Sequence, residues 1–202
     1  EADRDTLTPL LTAIGMDLSC ASGLVGKDNV IVEGPTDYYY LLAMARVLRS
    51  LGNDPLPEAP SILPCIGHAN VGMLLGLVMG AESNCAVIFD RKDTGKTANL
   101  LLRQGINPAK IVRVGADEKD SLSDLFASED VSLLVPDLVS GDDATLRLSS
   151  RLKKQKDSET LIARRFFDAV VRGELDRQFS RETLSNFEAL FSAIRDALRA
   201  ID

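Results

Sequence analysis

A single histidine and three cysteines are all that these 202 residues offer of the commonest nucleophile-activating and zinc-binding side chains. With His68 the sole imidazole, a histidine general base elsewhere in the chain is excluded by count. His68 itself follows a glycine at the end of an apolar run, where a turn role and a ligand role are both open. Cys20, Cys65 and Cys85 form no CxxC pair, and two of them sit in strand-like runs. Neither a disulfide framework nor a zinc site is indicated, and reduced, buried thiols are expected. Positive charge is short as well, with 23 Lys and Arg against 30 Asp and Glu and a net charge of −7. Such a balance opposes non-specific attraction to DNA, so any nucleic-acid binding has to be local or assisted by another domain. No apolar run approaches the roughly 18–20 residues that a membrane span needs. The opening Glu1-Ala2-Asp3-Arg4 has no initiator methionine and no basic stretch leading into an apolar one. We therefore expect no secretory signal, a start inside a longer polypeptide and a cytoplasmic setting.

What is present is an ordinary globular mixture, 45% hydrophobic and 26% charged, long enough for one main core with an appendage. Four nearly continuous aliphatic runs, residues 29–32, 61–66, 85–89 and 110–114, read as strands buried on both faces. Helix-like stretches at 37–51, 71–79 and 97–103 alternate with them, and Gly52 and Gly105 follow two of these as stop signals. That alternation predicts right-handed βαβ units: an α/β fold with a parallel sheet of about four strands and helices on both faces. Residues 1–26, with an amphipathic segment around Leu7 to Leu18, are expected to form a helix or linker leading in from a preceding portion. The α/β domain is expected over 27–140 and a helical extension over 141–202, with helices at 146–154, 158–172 and 181–201. The last carries Leu184, Phe187, Leu190, Phe191, Ile194 and Leu198 on one face, a stripe expected to pack into the core.

Ligands of an open parallel sheet bind beyond the carboxyl ends of its strands, and there the acids gather. Glu33 directly follows Val30-Ile31-Val32, and Asp37 comes four residues later at the start of the next helix. Asp90 ends the run Ala86-Val87-Ile88-Phe89, with Asp93 three residues on. Carboxylates brought together repel unless a cation offsets them, and hard oxygen ligands favour Mg²⁺ or Mn²⁺. The same acids also fit a plainer role, Glu33 and Asp37 favouring a helix N-terminus and Asp90 and Asp93 filling a polar turn. Asp117, Glu118, Asp120 and Asp124 follow the fourth run in the same way, as a further ligand source or as a solvated acidic face.

These segments resemble the Toprim nuclease domain of the overcoming-lysogenisation-defect (OLD) family. Residues 29–37, Asn-Val-Ile-Val-Glu-Gly-Pro-Thr-Asp, resemble its first motif, a strand followed by Glu-Gly-x-x-Asp. Ile66-Gly67-His68-Ala69-Asn70-Val71 resembles the glycine turn after the second strand. Ile88-Phe89-Asp90-Arg91-Lys92-Asp93 falls where that family has Asp-x-Asp, and Ser121-Leu122-Ser123-Asp124-Leu125-Phe126 resembles the later Glu-Asp-Leu-Phe segment. The likeness covers roughly residues 25–130, and it departs from the family at Lys92, where the second Asp is usual, and at Ser123, where Glu is usual. It implies a Rossmann-like Toprim sheet that holds one or two Mg²⁺ or Mn²⁺ ions and cuts DNA phosphodiesters, the metal activating water and stabilising the leaving oxygen. Glu33, Asp37 and Asp90 would be metal ligands or acid/base groups, joined by Asp93 or Asp124. Lys156, on the helix beyond the sheet, would offset charge on the cleaved phosphate, unless Glu159 fills that place. The partners implied are DNA, an ATPase domain of the same polypeptide and a second copy of the chain, with no membrane, in the setting of phage defence.

Other signals carry less. Asp93-Thr94-Gly95-Lys96-Thr97 imitates the end of a phosphate-binding loop, but Asp90 stands where the upstream glycine is required and would repel a phosphate. Arg147, Arg151, Lys153, Lys154 and Lys156, extended by Arg164 and Arg165, could follow a DNA backbone or form a solvated helix face. Tyr38, Tyr39 and Tyr40 fit first-turn packing better than a base-stacking platform, since successive helical residues point in different directions. Two functions therefore stand against each other: a metal-dependent endonuclease, and a Toprim module without catalysis that binds protein or nucleic acid. Primase-like nucleotide transfer at the same crevice is a third.

Overall fold

Four runs too apolar to face water on either side become the strands of the sheet: β1 (Asp28–Val32), β2 (Ser61–Pro64), β3 (Asn84–Asp90) and β4 (Ile111–Val114). The structure, a computed structural model, describes residues 25–65, 70–90, 94–103, 105–115, 121–134, 148–152, 158–175 and 178–200. The strands pair in the order β2-β1-β3-β4 and all run parallel. Alternate residues feed two cores. Val30, Val32, Ala86, Ile88, Val112 and Val114 enter one, and Ile31, Leu63, Val87 and Phe89 the other.

The helices that follow β1, β2 and β3 are α1 (Pro35–Ser50), α2 (Val71–Gly80) and α3 (Thr94–Arg103). Val71, Leu75 and Val78 of α2 and Leu101 of α3 bury against the second face, while Tyr40, Leu41, Met44 and Leu48 of α1 bury against the first. The expected α/β architecture, with helices on both faces, is thus what the chain adopts. α1 begins at Pro35 rather than Asp37, because the fixed φ of proline suits a first helical position.

Beyond the sheet lie α4 (Val131–Leu134), α5 (Leu148–Leu152), α6 (Glu159–Arg172) and α7 (Arg181–Arg199). The extension does not stand apart: Phe166 of α6 and Phe187, Phe191 and Ile194 of α7 belong to the same buried cluster as Val30 and Ile88. Gly173, at φ 69°, takes the left-handed conformation that closes α6. Phe126 lies among the rings of Tyr40, Phe166, Phe179 and Phe187, at centroid distances of 5.3, 5.7, 6.0 and 4.8 Å. Each such pair adds about 0.5–1.5 kcal/mol to the burial of its area. The tyrosine run is packing, as expected: Tyr40 is fully buried, and Tyr39 lies on Tyr38 and Phe167.

Lys110, expected to open the fourth strand, instead ends a short 3-10 turn over Pro108–Lys110 whose start is capped by the Asn107 side chain. Its buried ammonium donates to Asn84 Oδ1 at 2.9 Å. Asn84 Nδ2 in turn donates to Asp28 Oδ1 at 2.8 Å and to the Leu198 carbonyl at 2.6 Å. This network ties the last turn of α7 to the amino ends of β1 and β3. The expected lead-in helix at Leu7 to Leu18 and the connection at 135–143 lie outside the described residues, as do His68 and the acids Asp117, Glu118 and Asp120.

Candidate acidic site at the switch point of the sheet

From β1 the chain crosses one face to β2, then returns over the other face to β3 on the far side of β1. The two connections leave the carboxyl ends of β1 and β3 in opposite directions, and in open α/β sheets ligands bind in the crevice that opens there. Glu33 follows β1 and Asp90 ends β3, so both acids stand at that point. They meet: Glu33 Oε1 accepts the Asp90 N–H at 3.1 Å. The Asp90 side chain is only 7% exposed, and its Oδ1 accepts the Leu122 N–H at 3.0 Å. That bond holds the segment after β4 against the end of β3.

Asp37 occupies the third position of α1 and accepts the Gly34 N–H through Oδ2 at 3.2 Å. The arrangement satisfies a free amide and places negative charge at a helix N-terminus. Asp124 is engaged differently. Its Oδ2 accepts from Ser121 N at 3.0 Å and Ser121 Oγ at 2.9 Å, and its Oδ1 from Ser149 N at 2.9 Å. It thereby pins the turn over Leu122–Leu125 to α5, and both its oxygens already hold donors. Ser123 is buried and shares a hydrogen bond with Ser121 at 3.0 Å. Asp93, Lys92 and Lys156 lie outside the described residues.

Among the described residues no three His, Cys, Asp or Glu side chains converge as a metal-holding group. Glu33 and Asp37 are half-buried, so side-chain rotation is what would turn them with Asp90 toward one ion. Carboxylate oxygens of this kind suit Mg²⁺ or Mn²⁺ and not a soft metal. The first turn of α6 adjoins that of α1, Thr160 Oγ1 and Thr36 Oγ1 lying 2.8 Å apart. The basic residues described on α6, Arg164 and Arg165, are exposed.

Cys65 follows β2 beside Glu33. Burial, and then the negative charge of Glu33, push its thiol up to about 11. Cys65 and Cys85 are both buried, as expected from the strand-like runs they sit in. Because a thiol reacts as its thiolate, Cys65 will alkylate slowly at neutral pH, with a rate that rises toward pH 11. Glu33→Gln removes the nearby charge and shifts that profile toward lower pH. Iodoacetamide labelling followed by peptide mass spectrometry measures both, and an unshifted profile would show that Glu33 does not act on the thiol.

Fold and site together define an open parallel α/β sheet with two acids, Glu33 and Asp90, at the carboxyl ends of the strands that flank its switch point. Neither a family model nor a solved structure matches the chain. The chain is similar to methylaspartate ammonia-lyase 2 of Carboxydothermus hydrogenoformans, with 30% identity over 113 residues. That match takes in 52% of this chain and 27% of the lyase, so the chain spans about a quarter of that enzyme's length.

Proposed function

We propose that this chain is the Toprim domain of an OLD-type protein and a divalent-metal-dependent DNA endonuclease. One observation carries the reading: Glu33 and Asp90 occupy the carboxyl ends of the two strands that flank the switch point, with Glu33 Oε1 accepting the Asp90 backbone N–H at 3.1 Å. Two acids there, with Asp37 on the adjoining helix turn, supply hard ligands where a substrate phosphate would lie. A Mg²⁺ or Mn²⁺ ion held by them would lower the pKa of a bound water and offset charge on the phosphoryl oxygens. Glu33, Asp37 and Asp90 would hold the ion. Asp93 and Lys156 keep the roles the resemblance implies, as a further ligand and as a cation facing the phosphate. DNA, an ATPase domain of the same polypeptide and a second copy of the chain are the proposed partners, and the cytoplasm the proposed location. Among the described residues no helix is long and apolar enough to cross a membrane.

A specific observation favours the second reading, a module without catalysis: Asp124 gives both oxygens to structural hydrogen bonds, and Ser123 is buried and bonded to Ser121. Ammonia-lyase activity is not proposed, since the similarity reaches 27% of that enzyme.

Nicking of supercoiled plasmid with Mg²⁺, Mn²⁺ or EDTA separates the readings. The nuclease reading expects metal-dependent nicks, reduced at least about 100-fold by Glu33→Gln. Glutamine keeps an acceptor for the Asp90 N–H, so the loss is one of ligand charge and not of folding. Undiminished nicking by the folded variant would remove the nuclease assignment from this crevice. No nicking in any metal, even with the ATPase domain restored, favours the module.

A further inference from the structure

A cleft opens where α1 and α6 end. α1 has 16 residues, so this end lies about 24 Å from its start beside Glu33. The cleft encloses about 680 Å³, within the roughly 300–1,000 Å³ of small-molecule sites. Val47 and Leu51 of α1, Val170 and Val171 of α6, and Leu175 and Phe179 beyond α6 give it apolar walls. Two of the five large apolar side chains exposed among the described residues, Leu51 at 45% and Val171 at 41%, lie here. Exposed apolar surface gathered in a hollow is what an apolar ligand body covers.

The charge at the cleft is of the sign the chain is short of. Arg46 and Arg172 line it, and no acid lines it among the described residues. Arg46 is exposed and makes no ion pair among the described residues. Arg172 Nε holds Glu174 Oε1 at 2.7 Å, but that pair is exposed and screened by water. The negative ends of the two helix dipoles, which would favour a cation, are covered by backbone donors. The N–H groups of Leu51, Gly52 and Asn53 close α1, and those of Gly173 and Glu174 close α6. We propose that the cleft binds a small amphiphile with one anionic group, of the medium-chain carboxylate class. Its chain lies along Val47, Val170 and Phe179, and its head group meets Arg46 and Arg172. This site stands apart from the nuclease reading and does not depend on it.

The test is calorimetric titration of the full chain with decanoate, decanol and decyltrimethylammonium, each below its micelle concentration, with sedimentation of the same samples. Decanoate is expected to bind about fivefold more tightly than decanol, the cation more weakly than either. Arg46→Gln combined with Arg172→Gln should remove that fivefold advantage and leave decanol binding unchanged. Val171→Glu, at an exposed helical position that tolerates glutamate, sets a like charge in the cleft and should weaken decanoate at least about tenfold. Its thermal melt should match that of the parent. Equal binding of all three probes overturns the anionic preference, and decanoate binding indifferent to Val171→Glu overturns the cleft as the site. Absence of decanoate binding at millimolar concentration overturns the proposal outright. Self-association of the parent that Val171→Glu abolishes would assign the cleft to a second copy of the chain and overturn the ligand.

Discussion

On the proposed nuclease reading, Asp90→Asn is expected to cut metal-dependent plasmid nicking about 1000-fold while leaving the thermal melt close to that of the parent. The two halves of that result come from two different atoms. Asp90 Oδ1 accepts the Leu122 N–H at 3.0 Å, and the asparagine carbonyl can keep that bond. What asparagine removes is the charge, on a side chain 7% exposed at the end of β3. Losing a charged ligand of a divalent ion costs several kcal/mol of transition-state stabilisation, and about 4 kcal/mol corresponds to the 1000-fold loss. Asp90→Ala removes both functions and leaves the Leu122 amide buried without its acceptor, which adds a folding cost of about 1–3 kcal/mol. Nicking rates and melts on the three proteins separate charge from scaffold. Equal nicking by parent and Asp90→Asn would sink the metal role of Asp90, whatever happens to the alanine variant.

Glu33 and Asp90 were legible before any coordinates because each ends an apolar run, and a strand buried on both faces leaves no ambiguity about where its carboxyl end falls. The sheet was legible for the same reason. Runs such as Val30-Ile31-Val32 and Ala86-Val87-Ile88-Phe89 serve two cores at once and read as continuous hydrophobicity. Asp124 shows where that logic stops. Its motif resembles a metal-binding segment, yet Ser121 and Ser149 take both its oxygens. Those donors come from a neighbouring turn and from a helix 25 residues away. Hydrogen-bond competition over such a separation leaves no periodic trace in a sequence.

The same holds for Lys110. The strand expected over 110–114 begins one residue later, because Asn107 caps a turn that takes in Lys110, and the ammonium reaches Asn84 on β3. The meeting of α1 with α6, seen in the Thr36 to Thr160 hydrogen bond, comes with aromatic packing between Tyr40, Phe126 and Phe166. Helical periodicity marked both apolar faces but could not say that they meet.

Asp130→Ala is expected to destabilise the fold by about 3–4 kcal/mol, and the reason lies far from any recognisable motif. Asp130 is 0% exposed, a cost that a carboxylate sustains only with a full set of donors. It has them at the start of α7: the Ser180 N–H at 3.2 and 3.1 Å, and the Ser180 and Thr183 hydroxyls, each at 2.6 Å. Thr183 Oγ1 also accepts the Ala127 N–H at 2.8 Å, extending the network to the segment beside Phe126. The charge further complements the N-terminal end of the α7 dipole. Alanine would leave three donors, the buried Thr183 hydroxyl and the N–H and hydroxyl of half-buried Ser180, short of an acceptor at about 1 kcal/mol or more each, and would remove the dipole interaction as well. Asp130→Asn should fall between, since its amide keeps one acceptor but turns an N–H₂ group toward hydroxyl donors. Urea unfolding measures this directly: the midpoint should drop at an unchanged slope, because the surface exposed on unfolding stays the same. In a chain of this size the melting temperature should fall by about 6–15 °C. A loss below about 1 kcal/mol would mean that α7 is held by the burial of Phe187, Phe191 and Ile194 alone, with the Asp130 network adding nothing beyond what water already offered those groups.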